Sequence, residues 1–287
     1  MWPDFFIVGA PKAGTTSLYE YLRNSEKVFM PEIKEPNFFC QSIDPKHFIF
    51  KPIRNEKKYC SLFKKNDNVK FGESSVWYLI DPKTPKLIHE KAPNAKIIIM
   101  LRNPIERSFS HYLMAYSRGK YSKSFLDIIK DDRKNEEIVP YKEVIRASLY
   151  YDSVRRFIEM FGKENVKVII FEELIQDTKK IVQEVLDFLG IDTKPPENIK
   201  KTFNPYGVPR NKISLNILTS EKAKKISEIL LPKNLRHDLK FKFLIKKSKK
   251  PNITEKEIKY LSNFFKNDVK NLEKLLGKSL LWDEFKN

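Results

Sequence analysis

Cysteine is nearly missing from this sequence, with Cys40 and Cys60 its only two. Without C-x-x-C spacing or clustered histidines they argue against a disulfide framework and a zinc site, so two unbridged thiols and no metal ligands are expected. Long apolar runs are missing as well. None approaches the ~18 uncharged residues of a membrane-spanning helix. The opening stretch, MWPDFFIVGAPKAGTT, has neither a basic leader nor a cleavage site. A cytoplasmic location is the expectation, although a piece cut from a membrane-anchored lumenal protein would read the same. There is no internal repeat. Arginine is scarce, with 11 against 44 lysines in a chain of formal net charge +18. Dispersed lysine suits a solvated basic surface with a bias toward anionic partners, whereas base readout favours arginine, so nucleic acid is not an expected partner.

What is present suffices for a sizeable core. Apolar residues make up 41% of the 287 and aromatics 13%. That suits one large domain over 1–287, with a core at 1–190, a loop or lid region at about 191–215 and a helical part at 216–287. The run DFFIV at 4–8 ends at Gly9, and TTSLYEYLRN then carries Leu18, Tyr21 and Leu22 at helical spacing: strand, loop, helix. AKIIIML at 95–101 is β-branched without alternation, as in a parallel strand covered on both faces. It leads into RNPIERSFSHYLMAY, with Asn103 as cap, Pro104 as first helical residue and a helix to about Tyr116. VKVIIF at 166–171 and TKKIVQEVLDFLG at 178–190 repeat the theme, the helix closing at Gly190. VKFGESSVWYL at 69–79 supplies another strand, and a crossover helix starts near Pro82. Residues 140–161 read as one long amphipathic helix, 192–212 as loop and 239–252 as a basic surface linker. The last helix is capped by Thr254 with Glu257 and ends at Gly277. This alternation predicts an α/β fold, a mainly parallel central sheet flanked by helices, plus C-terminal helices, with ligands at the carboxyl ends of the strands.

Three stretches carry chemistry. In GAPKAGTTSL, Gly9 and Gly14 are spaced as in the nucleotide-binding P-loop. Yet Thr15 and Thr16 fill the slots of that loop's lysine and hydroxyl, and the lysine stands earlier, at Lys12. A glycine turn that opens a helix binds anions through backbone N–H groups, and Thr15, Thr16 and Ser17 add three hydroxyls that packing does not require. Arg102 ends the buried strand where a metal-dependent P-loop protein has an aspartate, so this strand end is expected to face an anion. Ser110 lies two helical turns on, roughly 12 Å along the axis. In KEPNFF, at 34–39, Pro36 restricts Glu35, while Phe38 and Phe39 are placed to exclude water from a carboxylate suited to general-base work. VIIFEE at 168–173 points the other way, since carboxylates at a strand end suit a metal and nucleotide hydrolysis.

Together and in this order, PKAGTTSL, KEPNFF and RNPIERSFSHY resemble the sulfotransferase family that uses 3′-phosphoadenosine 5′-phosphosulfate (PAPS), particularly its bacterial and heparan-sulfate-like members. The resemblance implies a P-loop-like three-layer fold and sulfuryl transfer to a hydroxyl acceptor, a carbohydrate or other small molecule. The product nucleotide would be adenosine 3′,5′-bisphosphate (PAP), and no metal would be required. It further implies that Lys12 meets the bridging oxygen and 5′-phosphate, and that Ala13, Gly14, Thr15, Thr16 and Ser17 cradle that phosphate. Arg102 and Ser110 would bind the 3′-phosphate, Tyr150 would lie near the adenosine, and Glu35 would deprotonate the acceptor. Arg210 and Lys212 fall in a stretch resembling a donor-covering loop. Two departures lie on the acceptor side: Ser74 and Ser75 where heparan-type enzymes often carry a lysine, and Asn37 where they carry a histidine. They count against heparan sulfate itself. The alternatives are a P-loop kinase or nucleotide hydrolase, and a non-catalytic polyanion-binding module drawing on the basic stretch at 240–250.

Overall fold

The computed structural model describes residues 1–44, 48, 51–63, 68–117, 123–131, 144–197, 199, 207–220, 223, 226, 227, 243–247 and 251–286. The chain divides into two compact units. One comprises Met1–Arg107, Ala147–Phe203 and Ser262–Asn287, the other Ser108–Arg146 and Asn204–Leu261.

The first unit is built on five parallel strands: β1 (Phe5–Gly9), β2 (Val28–Phe29), β3 (Lys70–Ser74), β4 (Lys96–Leu101) and β5 (Val166–Ile170), in spatial order β2-β3-β1-β4-β5. Strands covered on both faces need unbroken apolar runs. Phe5 to Val8 and Ile97 to Leu101 are accordingly all buried, each such side chain contributing about 1.5–3 kcal/mol. Gly72 of β3 pairs with Phe5, and a Cβ there would fall 2.1 Å from the Phe5 ring, so a bare backbone is what lets that ring fill the space. Helices α1 (Thr15–Arg23), α2 (Glu56–Cys60), α3 (Thr84–Lys91) and α4 (Pro104–Tyr116) follow β1, β2, β3 and β4 in turn, with later ones at Tyr151–Phe161, Phe171–Gln176, Thr178–Phe188 and Glu255–Leu276. α1 packs on Thr178–Phe188 and α3 on Tyr151–Phe161, so helical pairs flank the sheet. Because the chain fills one side of β1 before crossing to the other, the strand order reverses at β1. The carboxyl end of β1 is therefore the switch point of the sheet, the kind of place at which open α/β sheets take ligands.

The caps read from the sequence form. Asn103 Oδ1 accepts the Ile105 N–H at 3.0 Å, and Thr254 and Glu257 exchange backbone-to-side-chain bonds of 2.8 and 3.3 Å. Three elements differ from expectation. The helix expected over 140–161 is broken: a 3-10 turn at Arg146–Ser148 precedes a helix that begins only at Tyr151. The Asp268 carboxylate accepts the N–H groups of Tyr150 (2.7 Å) and Tyr151 (3.2 Å), which starts a new helix at that point; residues 140–143 lie outside the described ones. The crossover helix begins at Thr84, after Asp81 takes the Lys83 N–H at 2.9 Å. β5 stops at Ile170, and Phe171, Glu172 and Glu173 open a helix instead.

The second unit, taken by itself, packs Phe125 against Phe109 and Tyr112, with ring centroids 5.1 Å apart in both pairs. It also pairs β6 (Gly207–Pro209) antiparallel with β7 (Ile245–Lys247), two strands in stretches expected as loop and linker. Residues 198 and 200–206 of the expected lid lie outside the described ones, as do 240–242 and 248–250 of the basic stretch. Cys40 and Cys60 are free thiols. Among the described residues no helix is long and apolar enough to cross a membrane.

Candidate active site

β1 delivers the chain into a loop that glycine makes possible. Gly14 has φ +87, and a Cβ on it would stand 2.7 Å from the Phe171 ring, so left-handed backbone and ring contact both require glycine. It is also the N-cap of α1, and no side chain caps that helix. The Thr15 and Thr16 amides thus stand outside the helical ladder, at the positive end of its dipole, while the Ser17 N–H already donates to Gly14 O at 2.9 Å. Thr15 is buried and Thr16 and Ser17 half-buried beside them; the Ser17 side chain also hydrogen-bonds Tyr21. Ala13 is buried, its N–H donating to Ala10 O at 3.2 Å, and Lys12 between them has a positive φ of 70.

Arg102 leaves the end of β4 toward this loop. Its Nη1 donates to Lys12 O at 3.4 Å, its Nη2 meets Glu106 Oε2 at 3.0 Å, and its guanidinium lies 4.9 Å over the Phe171 ring. Nε is buried and makes no hydrogen bond among the described residues. The planar cation is therefore oriented by ring, carbonyl and carboxylate, and part of its donor fork is left over. Tyr150 is fully buried and works from behind, donating its hydroxyl to Arg102 O at 2.9 Å. Burial pushes its phenol well up, so it is a neutral donor.

Glu35 stands past the end of β2, in a segment stitched to the carboxyl end of β3. The N–H groups of residues 35, 37 and 39 donate in turn to Ser74 O (2.9 Å), Ser75 Oγ (3.0 Å) and Tyr78 Oη (3.2 Å). Glu35 and Asn37 both hold positive φ, of 62 and 50. The Glu35 side chain keeps 18% of its exposure and pairs with Lys34 at 3.1 Å. The aromatic shield expected around it encloses another carboxylate. Phe38 stacks on Tyr59, and Phe39 packs edge-on against Tyr59 and Tyr78. Those two tyrosines donate to Glu73 Oε2 at 3.0 and 2.8 Å, and Glu73 is fully buried.

Since β3, β1, β4 and β5 are neighbours, the Glu35 segment, the glycine loop, Arg102 and Phe171 line one edge of the sheet. Lys12, Gly14 and Arg102 are brought together directly, and Tyr150 through the Arg102 carbonyl. Ser110 lies two turns further along α4, in the second unit. Arg210 there is exposed, its N–H donating to Leu244 O at 3.0 Å, and Lys212 is the first residue of a helix capped by Asn211. The carboxylates of VIIFEE are occupied structurally: Glu172 accepts from the Asn103 N–H and Trp282 Nε1, and Glu173 pairs with Lys278 at 3.0 Å. Both glutamates thus lie on the helix after β5 and are held by protein donors, not at a strand end as the nucleotide-hydrolase reading supposed. Phe171, Glu106 and Glu73 escape a reading of the sequence. Only the placement of Phe171 directly after an apolar strand hints at any of them.

Comparison with known proteins gives a consistent result. A family model described as "Sulfotransferase domain" matches residues 2–276. Mouse heparan sulfate glucosamine 3-O-sulfotransferase 6 is 27% identical over 195 residues, covering 66% of this chain and 53% of its own. The chain spans about half the length of the curated relatives it matches. A solved sulfotransferase from Alicyclobacillus acidocaldarius is 27% identical with TM-score 0.73, covering 98% of each chain. The mouse sulfotransferase SULT7A1, solved in complex with PAP, shares the fold at 18% identity and TM-score 0.52, covering 96% of this chain and 88% of its own.

Proposed function

From the premise that the chain belongs to the sulfotransferase-domain family, we propose that it transfers a sulfuryl group from PAPS to a hydroxyl of a carbohydrate or other small acceptor. The observation that carries this reading is that Arg102 and the glycine loop are joined through Lys12 O and the Phe171 ring. Two anion sites fixed to one another suit a ligand with two separate phosphates. The residues present fit such a ligand: α1 offers uncapped amides, and Arg102 retains a buried Nε–H that has no protein acceptor among the described residues.

In this reading the backbone at residues 14–16 and the hydroxyls of Thr15, Thr16 and Ser17 hold the 5′-phosphate, and Arg102 the 3′-phosphate. Tyr150, which donates to the Arg102 carbonyl, lies near the adenosine. Glu35 takes the proton as the acceptor O–H bond breaks and its oxygen bonds to sulfur. The bridging S–O bond breaks with its electron pair going to the phosphate, where Lys12 stabilises the charge. An in-line transfer of this kind needs positioned cations and dipoles rather than a metal clamp. The relatives named for carbohydrate substrates favour a glycan acceptor.

Thermal protection tests the reading. PAP binding the native state is expected to raise Tm by linkage. Equal or greater protection by ATP with Mg²⁺ would overturn it.

A further inference from the structure

Resting on the role given to Arg102, we propose that Trp282 and Glu284 are positioning residues of the donor site: they hold the Arg102–Asn103 turn and, through it, the aim of the Arg102 guanidinium at a 3′-phosphate. Both lie past residue 276, the last one matched by the sulfotransferase-domain model. Arg102 and Asn103 are the two residues between β4 and α4. Their polar groups are bound from three distant parts of the chain. Tyr150 donates to Arg102 O at 2.9 Å, Glu172 Oε1 accepts the Asn103 N–H at 3.1 Å, and Glu284 Oε2 accepts from Asn103 Nδ2 at 2.7 Å. Trp282 acts one step back. Its Nε1 donates to the other oxygen of Glu172 at 3.2 Å, and its buried ring lies beside that of Tyr150, centroids 6.3 Å apart.

The Asn103 side chain carries the effect to Arg102. A carboxylate only accepts hydrogen bonds, so Glu284 fixes Nδ2 toward itself and leaves Oδ1 facing the start of α4. There Oδ1 accepts the Ile105 N–H at 3.0 Å, with Glu106 N 3.5 Å away. Glu106 in turn pairs with Arg102 Nη2 at 3.0 Å. The Glu284 bond thus steadies the first turn of α4 and, with it, the carboxylate that holds one side of the guanidinium. Glu172 reaches the same group by a second route. It binds the Asn103 N–H, while its neighbour Phe171 sets its ring 4.9 Å from the guanidinium. A cation oriented before the ligand arrives loses less freedom on binding. Slack at Asn103 should therefore weaken the 3′-phosphate contact and spare the glycine loop.

Calorimetric titration with PAP and with adenosine 5′-monophosphate tests this. Glu284→Ala removes the acceptor of Asn103 Nδ2, and Trp282→Phe keeps a ring but removes the donor to Glu172. Each is expected to weaken PAP binding by about 2- to 10-fold, the worth of one hydrogen bond, and to leave adenosine 5′-monophosphate nearly unchanged. Glu284→Gln keeps a carbonyl acceptor and should restore most of the PAP affinity. In an Arg102→Ala background, Glu284→Ala should cost no further PAP affinity, because its route to the ligand is gone. A general loosening of the fold would instead weaken both nucleotides and persist in that background. Nitrogen-15 NMR of the protein without nucleotide gives a second readout. The signal of the buried Arg102 Nε–H, identified by its loss in Arg102→Ala, should shift in Glu284→Ala and return in Glu284→Gln. Equal losses for the two nucleotides, or a signal unmoved by Glu284→Ala, overturns the proposal. If Trp282→Phe does not fold, the exposed Glu284 decides it in the same way. A parent protein that binds PAP no more tightly than adenosine 5′-monophosphate would instead defeat the role given to Arg102. The Nε–H signal would then decide by itself whether Glu284 steers that side chain.

Discussion

The Arg102 guanidinium lies over Phe171, 4.9 Å from the ring centroid, and the same ring abuts the backbone of Gly14. One aromatic side chain at the end of β5 thus sets the spacing between the glycine loop and the strand-end cation. Phe171→Leu keeps the bulk but removes the π face. PAP affinity is expected to fall by about 3- to 30-fold, the worth of a partly buried cation–π contact. Calorimetric titration checks this, and adenosine 5′-monophosphate affinity should change much less.

Arg102→Ala removes the proposed 3′-phosphate partner itself. Loss of charge-assisted bonds of about 1.5–3 kcal/mol corresponds to roughly 10- to 150-fold weaker PAP binding. The same variant should bind adenosine 5′-monophosphate nearly as the parent does. Equal losses for both nucleotides would place Arg102 away from the 3′-phosphate.

Gly14→Ala meets two obstacles, φ +87 and a ring atom 2.7 Å from the new Cβ. A cost of about 1–3 kcal/mol in stability is expected from the strained backbone alone. Differential scanning calorimetry should show the lowered Tm, and PAP should recover less of it than in the parent.

Lys12→Ala and Glu35→Gln should leave the fold intact and separate binding from chemistry. For Lys12→Ala kcat is expected to fall about 10²- to 10³-fold, as when one stabiliser of developing charge is removed. For Glu35→Gln the expected loss is about 10²- to 10⁴-fold in kcat with PAP affinity unchanged. Full activity in Glu35→Gln would remove its base role.

Asp268 gives a pH signature. Burial, opposed by the Tyr150 and Tyr151 N–H groups, pushes its carboxyl up from 3.8 to about 6. An acid whose folded value is raised contributes most below its unfolded value and loses that contribution as pH rises through the folded one. The stability of the wild type relative to Asp268→Asn should therefore decline between about pH 4 and about pH 6 and then level. Melting curves of the two proteins across that window provide the check.

Much of the fold is legible in local pattern. The apolar runs at 5–8 and 97–101 announce buried parallel strands, because a strand covered on both faces tolerates no polar residue. Asn103, Pro104, Thr254 and Glu257 announce helix starts, because a cap is satisfied within four residues of itself. Lys12, Gly14 and Arg102 are readable for the same reason: each sits just past the carboxyl end of a strand, and in a parallel sheet those ends converge on one edge. The break in the helix expected over 140–161 is hidden because Asp268, more than a hundred residues away, imposes it. No periodicity within the segment encodes that carboxylate.

By itself, then, the sequence determined the strand–loop–helix units, the glycine loop after β1 and the edge of the sheet at which Lys12, Gly14 and Arg102 converge. All of these depend on neighbours in the chain. Only the tertiary structure decided which carboxylate the aromatic shield encloses, that Phe171 joins Gly14 to Arg102, and that Glu172 and Glu173 are bound by Asn103, Trp282 and Lys278. The physical reason is that burial and pairing depend on which side chains from distant strands share a volume. Spacing along the chain carries no record of that.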